Sequence, residues 1–430
     1  SPAAQTAERI QQVESASTSK SPDVQKALGQ LLDNKADDAY ATLTKVAAER
    51  RAANDNEAAV TELWRAAAFV SVSNPKKAAD AYEQVLALKP ASYTAHLGLA
   101  YYNLATGNGA KAMTHAESAQ RYASTDIEAA YARTALALVS LRRGQVDRAL
   151  TLVRESVKQF RTLRDTAPED ELANRSLGEA LQLLGDVQAT SGDLAGARLN
   201  YQQAYDIRAE LARKRPDSGD IQREHYHAAL GLASTLAGWG DVSNALAYAS
   251  HAETLSAALA AANPARDDIL REALICRNEH GRLLQQSGDL RGALQRYEKS
   301  MAEFRTLAER HAGVLQPAID LKNAYLLLSE ARERAGDLDS ALMDARRALE
   351  IAEQSHARAP SDTIILADEI NARRWLAGIE MRAGNLDTAA RLCEAALASA
   401  QDRSADIIGR ECTIAVLHQV RAAVRTQAGD

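Results

Sequence analysis

A glycine returns every 48 residues along most of this chain, as Gly144, Gly192, Gly240, Gly288, Gly336 and Gly384. No other feature of the 430 residues constrains the fold as much, because a fixed period of this length marks a stacked array of one structural unit. Five residues after each glycine stands an alanine: Ala149, Ala197, Ala245, Ala293, Ala341 or Ala389. Two residues after it stands Val146, Leu194, Val242, Leu290, Leu338 or Leu386. SGDLAGARLNYQQA (Ser191 to Ala204) and SGDLRGALQRYEKS (Ser287 to Ser300) are two such copies. Glycine accepts the left-handed backbone that ends a helix. The Asp193, Asp241, Asp289 or Asp337 beside it can start the next helix with a carboxylate cap. The motif therefore reads as a junction between two helices. In the first helix of each pair a small residue (Ala100, Ala137, Gly185, Ala233, Gly281, Ser329 or Ala377) is expected to let the second helix approach.

Earlier copies are shorter, with Ala39, Ala78, Ala112 and Ala149 in the alanine position at steps of 39, 34 and 37. Aromatics are only 4 % of the chain, so a core of small and aliphatic side chains between helices is expected. Alternating β-branched runs are hard to find, and the fold class is all-α. The segment AAVTELWRAAAFVSVSNPKKAADAYEQVLALKP, ending at Pro90, spans one whole unit. Leu184, Gly185, Ala197, Tyr201 and Ala204 occupy a second one in the same order.

This pattern resembles the tetratricopeptide repeat family, whose 34-residue unit is a pair of antiparallel helices. The resemblance covers roughly residues 20–430. It implies a right-handed superhelical α-solenoid of about nine repeats plus a terminal helix. Residues 1–19 read as a polar lead-in, 20–125 as repeats of near-standard length, 126–410 as extended 48-residue repeats and 411–430 as a terminal half-repeat. The change of period near residue 126 reads as a change in groove depth within one solenoid. Pro90 lies 12 residues after its alanine, whereas Pro216 lies 19 after Ala197. Each long helix thus gains about two turns and reaches ~20 residues, or ~30 Å.

The chain has 51 basic against 57 acidic residues, a net charge of −6. No basic excess suits nucleic-acid phosphates, and no apolar run approaches the ~18 residues of a membrane span. Cys276, Cys393 and Cys412 are odd in number and lack CxxC spacing, which argues against a disulfide framework or zinc site. Cys393 falls among apolar helix positions as a small core residue. These cysteines fit a soluble protein of a reducing, cytoplasmic compartment. A periplasmic one would require an upstream signal or membrane span, and the start at Ser1 rather than Met fits removal of some upstream segment.

No phosphate loop, HExxH helix or nucleophile elbow is present, so no catalytic residue, metal or cofactor is assigned. His225 and His227 are two apart and diverge on a helix, which disfavours a shared metal. His280 occupies a leucine position and is expected in the core. TGNGAKA (Thr106 to Ala112) falls in an inter-helix turn without a preceding strand. Trp239, before its turn glycine, reads as packing between repeats.

The resemblance implies a concave groove lined by the first helices, at the second, fifth, ninth, twelfth and thirteenth positions of each unit. Toward the C-terminus these carry Asn278, Arg282, Gln285, Gln286, Asn323, Glu330, Glu333, Arg334, Asn371, Arg374 and Arg382. Toward the N-terminus they carry Leu63, Ala67, Leu97, Tyr101, Leu104 and Leu138. Arginine forks suit carboxylates, so the expected partner is a protein or peptide with an acidic part. The lysine and asparagine set with which the family clamps chaperone tails is not reproduced. The implied function is a non-catalytic protein-binding scaffold. Boundaries such as LARKRPDSGD look like the long repeats attached to some bacterial Ser/Thr protein kinases. That likeness suggests, as an alternative, the sensor or docking arm of a larger signalling protein. A peptide-sensing regulator whose ligand changes the superhelix pitch is the third.

Overall fold

The computed structural model describes residues 2–33, 35–71, 73–360 and 362–402, with residues 418, 422, 423 and 426 beyond them. The terminal half-repeat expected at 411–430, with Cys412, lies essentially outside the described residues. Every element among them is a helix. After α1 (Pro2–Ser17) the helices come in pairs. The shorter ones are α2 (Pro22–Leu32) with α3 (Ala36–Ala52), α4 (Asn56–Val70) with α5 (Pro75–Leu88), and α6 (Tyr93–Ala105) with α7 (Gly109–Tyr122). Then come α8 (Asp126–Arg142) with α9 (Val146–Thr166), α10 (Glu171–Ser191) with α11 (Leu194–Lys214), and α12 (Gly219–Gly238) with α13 (Val242–Ala262). The last are α14 (Asp267–Ser287) with α15 (Leu290–Arg310), α16 (Leu315–Arg334) with α17 (Leu338–Arg358), and α18 (Thr363–Arg382) with α19 (Leu386–Asp402). Even-numbered helices are the first, and odd-numbered the second, of each of nine pairs. The chain forms two compact units, Ser1–Ile221 and Gln222–Asp430; from α1 to α11 in the first and from α13 to α19 in the second, each helix packs on the next in the all-α solenoid pattern.

The junctions form as the residues dictate. Gly288 adopts φ 92°, and the other five glycines of the 48-residue series lie between 74° and 86°. The Asp289 carboxylate then accepts the Gly292 N–H at 2.9 Å, and Asp193 and Asp337 do the same for Gly196 and Ser340 at 3.0 and 3.1 Å. Asp241 caps Asn244 more loosely, at 3.4 Å. In the shorter repeats Asn74 and Asn108 take the capping role, and Thr125 with Glu128 forms a reciprocal capping box. The turn TGNGAKA is one of these junctions. Helices α9 to α18 run for 20 or 21 residues, the length required by a 48-residue step.

The small first-helix residue serves a more particular purpose than general closeness. A Cβ on Gly281 would lie 2.8 Å from the Tyr297 ring, and one on Gly185 would lie 2.7 Å from the Tyr201 ring. In each pair the glycine makes room for the tyrosine four residues beyond the facing alanine. Tyr297 is 1 % exposed. Where serine replaces glycine, Ser329 Oγ donates to the Ala341 carbonyl at 2.9 Å and accepts the Trp375 indole N–H at 3.0 Å.

Candidate functional site

In the second unit the first helices α14, α16 and α18 carry the polar strip. Asn323, Asn371, Gln286 and Arg334 are exposed. Arg374 is half-buried, and Asn278 is buried with an Oδ1 that meets no donor. Several of the expected groove arginines are already spoken for. Arg282 Nε donates to Glu279 at 2.8 Å, Arg334 Nη2 lies 2.9 Å from Glu330, and Arg382 pairs with Glu333. Gln285 donates to the same Glu330 at 2.8 Å. The strip is therefore cross-linked: Gln285–Glu330 joins α14 to α16, and Glu333–Arg382 joins α16 to α18. Among the described residues Arg374 makes no ion pair, and Asn323, Asn371 and Gln286 make no side-chain hydrogen bond. Asn323, Asn371 and Gln286 therefore keep unspent hydrogen-bonding capacity at the surface, and the half-buried Arg374 keeps its own.

A second ladder runs along the same helices and escaped the sequence reading. Arg223 Nε donates to Glu272 at 3.0 Å, and Arg271 Nη2 to Asp320 at 2.9 Å, each across 49 residues, one repeat plus one. Lys322, 3 % exposed, lies 2.9 Å from Asp368. Burial pushes the Glu272 carboxyl up, but His227 at 3.6 Å and hydrogen bonds from Arg223 and Tyr226 outweigh it and hold the group at about 2. The signal was available: Arg223-Glu224 and Arg271-Glu272 sit 48 residues apart, so each arginine reaches the acid one repeat on.

His225 and His280 are buried, whereas His227 is exposed. His280 is 4 % exposed, its Nδ1 2.7 Å from Glu253, which also accepts Arg296 Nε at 3.0 Å. His225 faces the His251 ring at 5.4 Å between centroids, while His227 lies 3.6 Å from Glu272, so the two diverge. Cys276 and Cys393 are both buried, and burial lifts the Cys276 thiol to about 12. Trp239 is half-buried.

The first unit differs. Tyr101 and Leu138 pack together, half-buried, on the apolar cluster that holds Leu97, Tyr131 and Leu177. Leu63, Ala67 and Leu97 are buried outright. The helix α1, formed by the supposed lead-in, packs against α2, α4 and α10, all of them first helices. Its C-terminal end is pinned where Ala16 joins Val24, Ala66 and Phe69, and where Gln25 donates to the carbonyls of Ala16, Ser17 and Ser19 at 3.0, 3.2 and 2.8 Å. Arg65 Nη2 donates to Ser15 Oγ at 3.0 Å. Midway, the Tyr82 hydroxyl donates to Glu8 Oε2 at 2.9 Å. Glu8 Oε1 is buried and meets no donor, and burial raises this carboxyl to about 8. PAAQTAERIQQVESAS looks polar, and only the spacing of Val13 and Ala16 hinted that one face of it packs.

No family model and no curated protein matches the chain. Solved structures do. One is a signal transduction ATPase with numerous domains from Pyrococcus horikoshii that carries a tetratricopeptide repeat sensor, at TM-score 0.54 and 12 % identity over 94 % of this chain. This chain spans 55 % of that one. Another is a monomeric mutant of IFIT1 with Gppp-AAAA, at TM-score 0.53 and 11 % identity, covering 94 % of this chain and 80 % of that one. At such identities the likeness concerns the fold, which is tetratricopeptide-like. No described helix is long and apolar enough to cross a membrane.

Proposed function

We propose that the chain is a non-catalytic scaffold that binds a protein or peptide segment along its first helices. The observation that carries this reading is the strip on α14, α16 and α18, where the exposed Asn323 and Asn371 and the half-buried Arg374 keep unspent hydrogen-bonding groups while their neighbours are tied to one another. Asparagines one repeat apart suit the backbone of an extended segment, and Arg374 suits a carboxylate on it. IFIT1 was solved with a capped RNA fragment, but the net charge of −6 here favours a protein partner over phosphate.

The test is a displayed peptide library panned on the full chain. Acid-containing peptides are expected to be selected and to lose about tenfold in affinity against Arg374→Glu, the cost of one charge-assisted contact reversed. Selected peptides that bind this variant and Asn323→Ala/Asn371→Ala as well as the original would overturn the reading.

A second reading makes the array the sensor or docking arm of a larger signalling protein. The Pyrococcus protein, which joins a tetratricopeptide sensor to an ATPase, offers the analogy, as do the long repeats of the kinase-associated type. The whole coding sequence decides it: an adjoining kinase or ATPase domain supports the arm. If ligand instead compacts the array in small-angle scattering, the peptide-sensing regulator is the better description.

A further inference from the structure

Within the first unit, a helix of the chain itself already sits where a partner segment would. Its seating is incomplete in four respects. Glu8 Oε1 is buried without a donor, and so, without a partner, are the Tyr93 hydroxyl and Arg65 Nε. Ile10, the largest aliphatic side chain of α1, is 45 % exposed. A buried carboxylate oxygen without a donor costs the docked helix part of what its burial gains, and Ile10 left in water adds little to the seat. The charged groups on the helices packed against α1 do not rescue Glu8. Arg65 on α4 is turned to Glu62 and Ser15, and Arg175 on α10 bonds Glu171. Glu8 itself takes only the Tyr82 hydroxyl from α5, and neither Lys26 on α2 nor Arg9 of α1 bonds it.

We propose that the first-helix face of the first unit is a docking groove for an amphipathic helix of about four turns, and that α1 is its exchangeable resident. The groove specifies its occupant. It asks for a small residue at the place of Ala16, packed on Ala66 and Phe69, and a hydroxyl at that of Ser15, to take Arg65 Nη2. At the place of Glu8 it asks for an uncharged side chain that accepts from Tyr82 and needs no counter-ion. Because α1 is joined to α2 through only residues 18–21, it competes at an effective concentration on the order of millimolar. A partner helix has to exceed that by satisfying what Glu8 leaves open.

The proposal shares with the scaffold reading only the premise that first helices form the binding face, and it uses none of the α14–α18 strip. The test uses the full chain and a labelled peptide of residues 2–17 carrying Glu8→Gln. Against the full chain bearing Glu8→Arg, whose own helix is expelled by a buried cation, the peptide is expected to bind at least about tenfold tighter than against the original chain. Against the chain bearing Glu8→Gln it is expected to bind about tenfold weaker, since the resident then seats as well as the probe. Hydrogen exchange of the α1 amides should rise when peptide saturates the original chain. Should Glu8→Arg not fold, the comparison of Glu8→Gln with the original chain decides alone. Equal affinities across the chains, or binding that leaves α1 protected, would overturn the proposal. So would a concentration-dependent dimer in Glu8→Gln, which would make the occupant a second copy. Arg374→Glu is expected to leave this peptide's binding unchanged. Loss there would place the peptide on the α14–α18 strip and overturn the groove, whereas failure of the library experiment alone would leave it standing.

Discussion

At the second position of the repeat, Val60 and Tyr131 in the first unit are apolar and buried, whereas Asn323 and Asn371 in the second are polar and exposed. The backbone plan is the same in both. One side chain per turn of the first helix changes the surface from one that hides apolar area to one that keeps hydrogen-bonding groups in water. The apolar version carries a helix of the same chain. The polar version stabilises itself by ion pairs between neighbouring helices and leaves a few donors and acceptors over. A solenoid is suited to this, because each repeat needs only its neighbours to fold and its groove face can vary freely.

The contrast can be tested most severely by pH. The docked Glu8 carboxyl titrates near 8 and the free one near 4.5, so the docked helix holds a proton that the released helix gives up. Docking is strongest below the free value and is lost as pH rises through the docked one. Between pH 5.5 and 8.5 the population of released α1 should rise by on the order of a hundredfold, read by hydrogen exchange. Glu8→Gln should abolish the trend, and the second unit's first helices should show none of it. The charged neighbours to control for are Asp23 and Lys26 on α2, Glu62 and Arg65 on α4, and Glu171, Arg175 and Glu179 on α10.

The ion ladder of the second unit comes next. Asp320→Asn leaves Arg271 without its buried acceptor and should cost about 2 kcal/mol in urea unfolding of that unit, with α1 exchange unchanged. A third change asks whether the two units share their packing. Gly281→Ala and Gly185→Ala both force a methyl into a tyrosine ring, and each should cost about 1.5 kcal/mol. A much smaller loss in one would show that its tyrosine can move. The smallest effect belongs to the polar strip: Asn323→Ala or Arg374→Ala should alter stability by less than about 0.5 kcal/mol. A larger loss would mean that these residues hold the fold and are not spare binding groups.

Much of this was legible in the residues. The 48-residue glycine, the aspartate beside it and the alanine five on predicted the helix ends, their caps and the long helices, because a left-handed turn and an N-cap are local requirements. The core placement of His280 followed from its register. Less legible was the state of each groove residue. Periodicity places Arg282, Arg334 and Arg382 on the first-helix face, yet whether a guanidinium meets a carboxylate depends on side chains 45 to 50 residues away, or one turn away on the same helix. The Gly281–Tyr297 contact was similarly hidden: the glycine was recognisable as a close approach, but not what approached.

What the amino-acid order determined by itself was therefore the repeating helix pair, its length and its turn chemistry, since these rest on interactions within a few residues. Only the tertiary structure decided that a polar-looking lead-in lies along three first helices with a half-satisfied glutamate inside. That placement depends on the shape of a surface that exists only once the repeats have stacked. No pattern within sixteen residues can encode it.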